Sequence, residues 1–342
     1  MTFCARADGL PAMEEVVVAG SGVTGLSVAL ALTRLGANVT VCDPAPLGDN
    51  ASGVAAGMLA PAMEAALDPL SADHFELLKA ARDLWPAFAP VEISRDGAVF
   101  VSDAHTVESV AAKLSALGAS NRAASEELSA LGGVSSAVFT DEDWRLEPAD
   151  ALKVLRSQAE AAGVRFTSEA VREKGESVLV LATGPAPGPA PELAALTPIK
   201  GQILRLSGGP TSGPAIRGEG LYICPAVGGA IVGATMEEGA SDRVIDEGRI
   251  TTLREAARAL IPALEGVGGE PHAAVRAGTP DGLPLVGWSA AKGVFLAVGA
   301  RRNGWLLAPL VAQIAAAYLA GEDPGPFAAQ LDPQRFSREG HP

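Results

Sequence analysis

An apolar, β-branched run at residues 16–19 opens the patterned part of the chain and predicts a buried strand. Three closely spaced glycines follow it. Apolar side chains then recur at helical spacing at Leu26, Leu30 and Leu35, and residues 38–42 read as a second strand. The front of the chain therefore predicts a strand–helix–strand unit.

Hydrophobic periodicity further along the chain predicts helices and short strands in alternation. The predicted helices cover residues 71–88, 107–117, 125–131, 150–163, 249–260 and 305–320. The predicted strands cover residues 97–101, 178–184, 202–206, 221–225, 230–234 and 294–298. Pro86 and Pro90 are expected to break the first of the helices. The two strands around Gly228 and Gly229 predict a hairpin.

This order of elements predicts an α/β fold with a doubly wound domain built from separated pieces and a mostly antiparallel β-sheet domain inserted between them. The expected pieces of the first domain are residues 14–89, 146–200 and 275–335. The inserted domain is expected at residues 90–145 and 201–274, with loose ends at residues 1–13 and 336–342.

The three glycines behind the first strand have the spacing of a dinucleotide site. Gly20 suits the tight turn, Gly22 lets backbone N–H groups approach a pyrophosphate, and Gly25 allows close packing of helix and strand. Asp43 ends the second strand 18 positions after Gly25, where an acid accepts hydrogen bonds from ribose hydroxyls. The alternative, a glycine-rich turn with a surface aspartate, does not require this context. We therefore predict a bound dinucleotide.

Length and charge narrow the class of protein. A chain of 342 residues suggests two domains, and 48% hydrophobic with 19% charged residues indicates a folded protein. The formal net charge of −14, with no basic cluster, argues against nucleic acid or an anionic membrane as a partner. The sequence is compatible with a homo-oligomer but does not decide the oligomeric state.

The three cysteines and four histidines lie apart from one another, so neither a disulfide framework nor a metal site is predicted. The start of the chain lacks a basic segment followed by an apolar one, and no stretch has the length of a membrane span. These observations predict a cytoplasmic protein.

Residues 44–64 are small and, apart from Asp49, uncharged until Glu64. A surface loop is usually more polar. Small residues here would let the backbone lie against a large planar ligand, or they would open a tightly packed helix. Composition alone leaves both interpretations open.

Eight short segments occur in an order that carries a resemblance covering nearly the whole chain. They are residues 20–27 (GSGVTGLS), 55–59 (AAGML), 179–184 (LVLATG), 198–202 (PIKGQ), 222–225 (YICP), 232–235 (VGAT), 275–284 (VRAGTPDGLP) and 302–309 (RNGWLLAP). The chain thereby resembles the glycine oxidase branch of the D-amino-acid oxidase family of flavoproteins. The first domain would then be a Rossmann-like FAD-binding domain.

The resemblance implies that the dinucleotide is FAD, bound non-covalently. Asp43 would contact the ribose, the backbone of Val171 the adenine edge, and residues 302–306 the pyrimidine end of the flavin, where backbone N–H groups would stabilise negative charge. The implied cofactor-binding residues are Gly20, Gly22, Val23, Thr24, Gly25, Asp43, Ser52, Ala55, Ala56, Gly57, Met58, Val171, Thr183, Gly184, Arg302, Asn303, Gly304, Trp305 and Leu306.

The resemblance also implies a site for a substrate carboxylate. Arg276 would bind it through its guanidinium fork, and Tyr222 would donate a hydrogen bond; Arg302 is a second candidate. On residues alone, a surface arginine and a core tyrosine stay open. The other implied pocket residues are Met58, Glu64, Ala300 and Arg301.

The implied reaction is oxidation of an amino acid or amine, with hydride transfer to the flavin and dioxygen reduced to hydrogen peroxide. Ala226, Ala300 and Arg301 depart from the family pattern and suggest a roomier or more basic pocket, suited to an N-substituted glycine, with or without a second acidic group. Alternatively, Arg301 points to solvent. The alternative functions are a D-amino-acid or sarcosine-type oxidase, a dehydrogenase with another electron acceptor, a tRNA-modifying flavoprotein domain, and a non-catalytic binding protein.

Overall fold

The structure is a computed structural model that describes residues 15–124, 131, 136–171, 175–218 and 220–338. The predicted leader at residues 1–13 lies outside this part of the chain. So does the helix predicted at residues 125–131, except for its last residue.

The described strands follow the predicted order with additional short members. They are β1 (Glu15–Ala19), β2 (Asn38–Cys42), β3 (Met58–Leu59), β4 (Ile93–Ser94), β5 (Ala98–Ser102), β6 (Arg122–Ala123), β7 (Ser136–Thr140), β8 (Trp144–Leu146), β9 (Arg165–Thr167), β10 (Val178–Leu181), β11 (Thr197–Leu206), β12 (Ala215–Gly218), β13 (Leu221–Ala226), β14 (Gly229–Gly233), β15 (Glu237–Glu238), β16 (Gly269–Gly278), β17 (Leu285–Trp288) and β18 (Val294–Val298).

The described α-helices are α1 (Val23–Arg34), α2 (Ala51–Val54), α3 (Pro61–Leu67), α4 (Phe75–Phe88), α5 (Ala104–Ala116), α6 (Pro148–Ala161), α7 (Glu247–Leu260), α8 (Gly304–Ala320), α9 (Ala328–Leu331) and α10 (Arg335–Arg338). Short 3₁₀ turns cover Pro69–His74, Pro191–Ala195 and Pro262–Leu264.

The first sheet has the order β17-β18-β10-β1-β2-β9 and is parallel except for the edge strand β17. Its central strands are apolar on both faces, as helix-covered parallel strands require. Helix α1 packs against both α8 and α6 beside it, and the apolar side chains of these helices share one core with Trp85 of α4. This sheet is the scaffold predicted by the strand–helix–strand unit at residues 16–43 with its glycines at positions 20, 22 and 25 (the front motif).

The second sheet is mostly antiparallel and contains nine strands. Starting from one edge, the order is β16-β11-β14-β13-β12-β5-β7-β6, with β15 also pairing with β11. The contact between β12 and β5 is parallel. A third, small sheet joins β3, β8 and β4. The predicted combination of a mostly parallel and a mostly antiparallel sheet is confirmed.

Three details differ from the sequence-based predictions. Pro86 lies inside α4, in its last turn, and does not end the helix. Residues 269–278 form a ten-residue strand that periodicity did not indicate, and it pairs with β11 along its whole length. Because β11 begins at Thr197, it runs across the expected domain boundary at residue 200. The domain boundaries themselves stay a prediction.

Candidate functional site

Two adjoining cavities hold nearly all of the predicted site residues. The larger cavity, of about 470 Å³, lies at the carboxyl ends of the parallel strands. The smaller cavity, of about 320 Å³, lies between helix α3, helix α8 and the antiparallel sheet. Both volumes are in the range of ligand sites. The residues that line both cavities are Val23, Ala51, Ser52, Arg276, Arg301 and Gly304.

The larger cavity is shaped by the glycines of the front motif. Gly20 has a φ of +104°, and a Cβ there would lie 2.4 Å from the carbonyl oxygen of Ala182. A Cβ on Gly25 would lie 2.0 Å from the carbonyl oxygen of Gly20, so α1 and β1 pack closely only because this position is glycine. Gly22 lines the cavity just before α1 begins. Gly25 itself lines neither cavity.

Asp43 is held in a fixed orientation at the wall of the larger cavity. Its Oδ2 accepts hydrogen bonds from the backbone N–H of Ser21 (2.7 Å) and from the Ser21 hydroxyl (2.8 Å), and its Oδ1 accepts one from the N–H of Ala45 (2.9 Å). The other predicted cofactor-binding residues in this wall are Thr24, Val171, Thr183 and Gly184. Ala300, which was predicted for the substrate pocket, lines this larger cavity and not the smaller one.

Two side-chain atoms at this wall are buried without a hydrogen-bond partner among the described residues. They are Oγ1 of Thr183 and Nδ2 of Asn50. Buried polar atoms are nearly always paired, with protein, water or a ligand. A polar ligand in the larger cavity would therefore satisfy groups that the described chain leaves unpaired.

Part of the small-residue stretch at 44–64 lines the smaller cavity, as expected if its backbone lies against a large planar ligand. Gly57 has a φ of +73°, and a Cβ there would lie 2.1 Å from the carbonyl oxygen of Leu146. The indole N–H of Trp305 donates to the carbonyl oxygen of Ser52 (3.0 Å) and ties this stretch to α8. The predicted residues in this wall also include Ala55, Ala56, Met58, Arg302, Asn303 and Gly304. Leu306 is buried in the core and lines neither cavity.

Arg276 and Tyr222 lie on the sheet that forms the floor of the smaller cavity. Nη2 of Arg276 donates to the carbonyl oxygen of Thr235 (2.9 Å), and no salt bridge joins Arg276 to an acidic side chain of the described chain. Burial lowers the pKa of the Arg276 guanidinium and raises the pKa of Tyr222 to about 12. The alternative of a surface arginine is wrong.

Two glycines make room for this pair. A Cβ on Gly201 would lie 2.3 Å from Nη2 of Arg276, and a Cβ on Gly233 would lie 2.5 Å from the hydroxyl oxygen of Tyr222. Glycine inside a strand often marks such a close approach. A glycine inside or directly before a predicted strand was therefore the available signal at positions 233 and 201, although neither glycine was predicted as a site residue.

Glu64 is buried at the opposite wall and is paired with two arginines. Its Oε1 accepts hydrogen bonds from Arg217 (2.9 Å) and Arg302 (3.2 Å). Glu64 and Arg217 are both only 4% exposed. Burial raises the pKa of Glu64, but the charges of Arg302 and Arg217 outweigh burial and hold that pKa below its usual range. The carboxyl group is therefore ionised.

Arg301 has a partner that sequence reasoning did not anticipate. Its guanidinium forms a salt bridge with the buried carboxylate of Asp68. Arg301 therefore does not point to solvent. Because its charge is already paired, it also offers no support for a second acidic group on the substrate.

Arg217 and Asp143 are further buried groups that the sequence analysis missed. Arg217 lies directly opposite Tyr222 in the pairing of β12 with β13 and lines the smaller cavity. Asp143 accepts hydrogen bonds from the N–H groups of Ala62 (2.9 Å) and Met63 (3.2 Å). Burial raises the pKa of Asp143 to about 7, against the opposing charge of Arg217. No local sequence signal marked either residue.

Comparison with known proteins identifies the family. The model of the FAD dependent oxidoreductase (DAO) family matches residues 15–318. The chain belongs to this family. The predicted family, the predicted FAD and the predicted class of enzyme, an FAD-dependent oxidoreductase, are confirmed.

Relatives of this DAO family member carry related names. A Rhizobium etli protein named as the thiamine biosynthesis oxidoreductase ThiO is 32% identical over 316 residues, which are 87% of this chain and 94% of the relative. The bifunctional protein ThiO/ThiG of Trichormus variabilis is 29% identical over 95% of this chain, and the chain spans 55% of its length. The crystal structure of glycine oxidase from Geobacillus kaustophilus has a TM-score of 0.81 at 22% identity, covering 94% of this chain and 99% of that one.

FAD fits the two cavities of this family member. The glycines of the front motif and the orphaned Thr183 and Asn50 atoms suit the nucleotide half in the larger cavity. The small-residue wall and the start of α8 suit a flat ring system in the smaller one. Within the described chain, no helix has the length and apolarity needed to cross a membrane.

Proposed function

We propose that this chain oxidises glycine or an N-substituted glycine and that Arg276 binds the substrate carboxylate. The observation that carries the proposal is the position of Arg276, which lines both cavities without an acidic partner in the described chain. Arg276 is half-buried, a cation withdrawn from water in this way is normally paired, and a guanidinium fork matches a carboxylate. The name glycine oxidase, which other relatives of the chain carry, supports a small amino acid as the substrate.

Tyr222 would bind the same carboxylate through its hydroxyl. The ring leans over Gly233, and the charge of Arg276 acts on its hydroxyl. Because the pKa of Tyr222 is raised to about 12, the hydroxyl stays protonated and can donate a hydrogen bond to an anion. Arg276 and Tyr222 together would therefore hold the carboxylate from two directions.

The titratable residues of the smaller cavity favour a reaction without a protein base. Glu64 has a lowered pKa, Tyr222 has a raised one, and the other titratable groups among the described lining residues are arginines. None of these suits proton abstraction near neutral pH. When bound, FAD supplies a hydride acceptor at N5 of the flavin, after which dioxygen takes up the electrons as hydrogen peroxide and the imine hydrolyses to glyoxylate and ammonia or an amine.

The task left to the protein is orientation. Arg276 and Tyr222 would fix the carboxylate end of the substrate, so that the Cα–H faces the ring system along the 52–58 stretch. The smaller cavity, at about 320 Å³, is not large once a ring system occupies it. This favours a small substrate, such as glycine or a short N-alkyl glycine.

An anaerobic substrate screen tests the proposal. The purified flavoprotein is mixed with glycine, sarcosine, D-alanine and a larger N-carboxymethyl amine, and loss of visible flavin absorbance is followed. We expect glycine or sarcosine to reduce the flavin fastest. Admission of air should then restore the absorbance and release peroxide, which separates an oxidase from a dehydrogenase. The proposed substrate is wrong if D-alanine reduces the flavin faster than glycine and sarcosine do, or if none of the four compounds reduces it.

A further inference from the structure

We propose that the Glu64 carboxylate binds the amine of the substrate, as an acceptor for its N–H, opposite the carboxylate site at Arg276. This deepens the proposed function and rests on it. Arg217 acts as a positioning residue, because it holds one oxygen of Glu64 and so directs the other.

The two oxygens of the Glu64 carboxylate have different surroundings. Oε1 accepts from both Arg217 and Arg302, whereas Oε2 is buried with no hydrogen-bond partner among the described residues. Leaving a buried charged acceptor unsatisfied is unfavourable. Glu64 is among the residues that line the smaller cavity, so a ligand in that cavity is a source of the missing donor.

The charges around the cavity point to the same partner. Arginines at positions 217, 276, 301 and 302 line the smaller cavity, and Glu64 is the one acidic side chain among its described lining residues. Arg217, Arg302 and Arg301 are paired with Glu64 or Asp68, whereas Arg276 has no acidic partner in the described chain. A free amino acid brings an ammonium group, which the Arg276 guanidinium would repel without a nearby anion. Glu64 and Arg276 line the same cavity, and the charge of Glu64 acts on Arg276, so a ligand with both a carboxylate and an N–H can bridge them.

The consequence is selectivity for carboxylates that carry an N–H. Glu64 binds the amine but does not deprotonate it, because Arg302 and Arg217 hold its pKa low. A carboxylate ligand without an N–H would occupy the Arg276 end and leave Oε2 of Glu64 unpaired.

Oxamate and pyruvate test this directly. Both are carboxylates of similar shape with a carbonyl group next to the carboxylate, but oxamate has an NH₂ group where pyruvate has a methyl group, and neither has an oxidisable amine. Dissociation constants are measured from the change in flavin absorbance of the FAD-loaded enzyme. We expect the wild type to bind oxamate more tightly, by about tenfold or more.

The variant Glu64→Gln should abolish this preference. The two arginines would hold the amide oxygen, so the NH₂ group of the glutamine replaces the free acceptor with a donor. The dissociation constant of pyruvate divided by that of oxamate should fall by about tenfold or more. Loss of the Glu64 charge acts on both anions alike, so it cancels in this ratio. Glu64→Asp, which keeps the charge but withdraws it by one methylene, should lower the same ratio and serves if the glutamine variant does not retain FAD.

Glu192→Gln is the matched control. Glu192 is also a buried glutamate, with its carboxylate held by the Ser289 hydroxyl and the N–H of Ala290, but it does not line either cavity. Its variant should keep the preference of the wild type. The proposal is overturned if the wild type does not discriminate, if Glu64→Gln and Glu64→Asp keep the preference, or if Glu192→Gln loses it equally. The proposed oxidation of glycine is judged separately by anaerobic flavin reduction, since neither ligand here is a substrate.

Discussion

The guanidinium of Arg276 occupies space that a side chain at Gly201 would fill. The two residues lie on the paired strands β16 and β11, and a Cβ on Gly201 would be 2.3 Å from Nη2 of Arg276. Because that guanidinium has no acidic partner in the described chain, its position depends on the shape of the sheet beneath it. The small size of Gly201 is therefore part of the proposed carboxylate site.

Gly201→Ala should weaken substrate binding more than it slows the chemical step. The added methyl group displaces the guanidinium, so we expect the apparent dissociation constant for glycine or pyruvate to rise by about tenfold. Rapid-mixing flavin reduction separates this constant from the limiting rate. Gly268→Ala is the control, since a Cβ there meets nothing closer than 3.6 Å. An unchanged dissociation constant in Gly201→Ala would contradict the role given to this contact.

Arg276→Lys tests the guanidinium itself. Lysine keeps the positive charge but lacks the fork that pairs with both carboxylate oxygens, so we expect carboxylate ligands to bind about 10- to 100-fold more weakly. Flavin absorbance titrated with pyruvate measures the loss, and the same spectrum shows that FAD is retained. Arg243→Lys, at a half-exposed surface pair with Asp49, is the matched control. Equal affinity of Arg276→Lys and the wild type would exclude Arg276 as the carboxylate site.

The sequence predicted the larger cavity, at the parallel strands, better than the smaller cavity at the antiparallel sheet. Gly20, Gly22 and Asp43 belong to one local strand–helix–strand unit, so their spacing alone sets their relative positions. Arg217 and Glu64 are 153 positions apart and meet only because β12 and α3 face the same cavity. Residue patterns carry no signal for such a contact, and the resemblance supplied Arg276 and Tyr222 but not Arg217.

The missed strand β16 has a similar explanation. Its residues include Pro271, Ala273 and Ala274, which have low strand propensity, and they do not alternate clearly between polar and apolar. The strand forms because β11 offers ten consecutive partners. Tertiary pairing thus decided the structure of the segment that carries Arg276, and local propensity did not.

Gly25→Ala should reduce FAD incorporation. The added Cβ would lie 2.0 Å from the carbonyl oxygen of Gly20, so the start of α1 must move away from β1 and from the phosphate end of the larger cavity. We expect a lower flavin-to-protein ratio and weaker rebinding of FAD to the apoprotein. Gly268→Ala again provides the control for an added methyl group. A variant with full flavin content and wild-type affinity would show that this close packing is not needed for the cofactor.

Asp143→Asn should change how stability depends on pH. Burial raises the pKa of Asp143 from 3.8 to about 7, so between these values the folded chain binds a proton that the unfolded chain has released. The contribution of Asp143 to stability is therefore present at low pH and is lost as the pH rises towards 7. Asparagine stays neutral throughout, so the stability of the variant relative to the wild type should increase as the pH rises.

Chemical denaturation at pH 5 and pH 8 measures this difference. Relative to the wild type, the unfolding free energy of Asp143→Asn should rise by about 1.4 kcal/mol for each pH unit crossed between 5 and 7 and then level off. A constant offset is expected as well, because the asparagine NH₂ faces one of the N–H groups of Ala62 and Met63. Asp73→Asn, at an exposed carboxylate, controls for the loss of a surface charge. A difference independent of pH would mean that Asp143 is ionised throughout, with the charge of Arg217 outweighing burial.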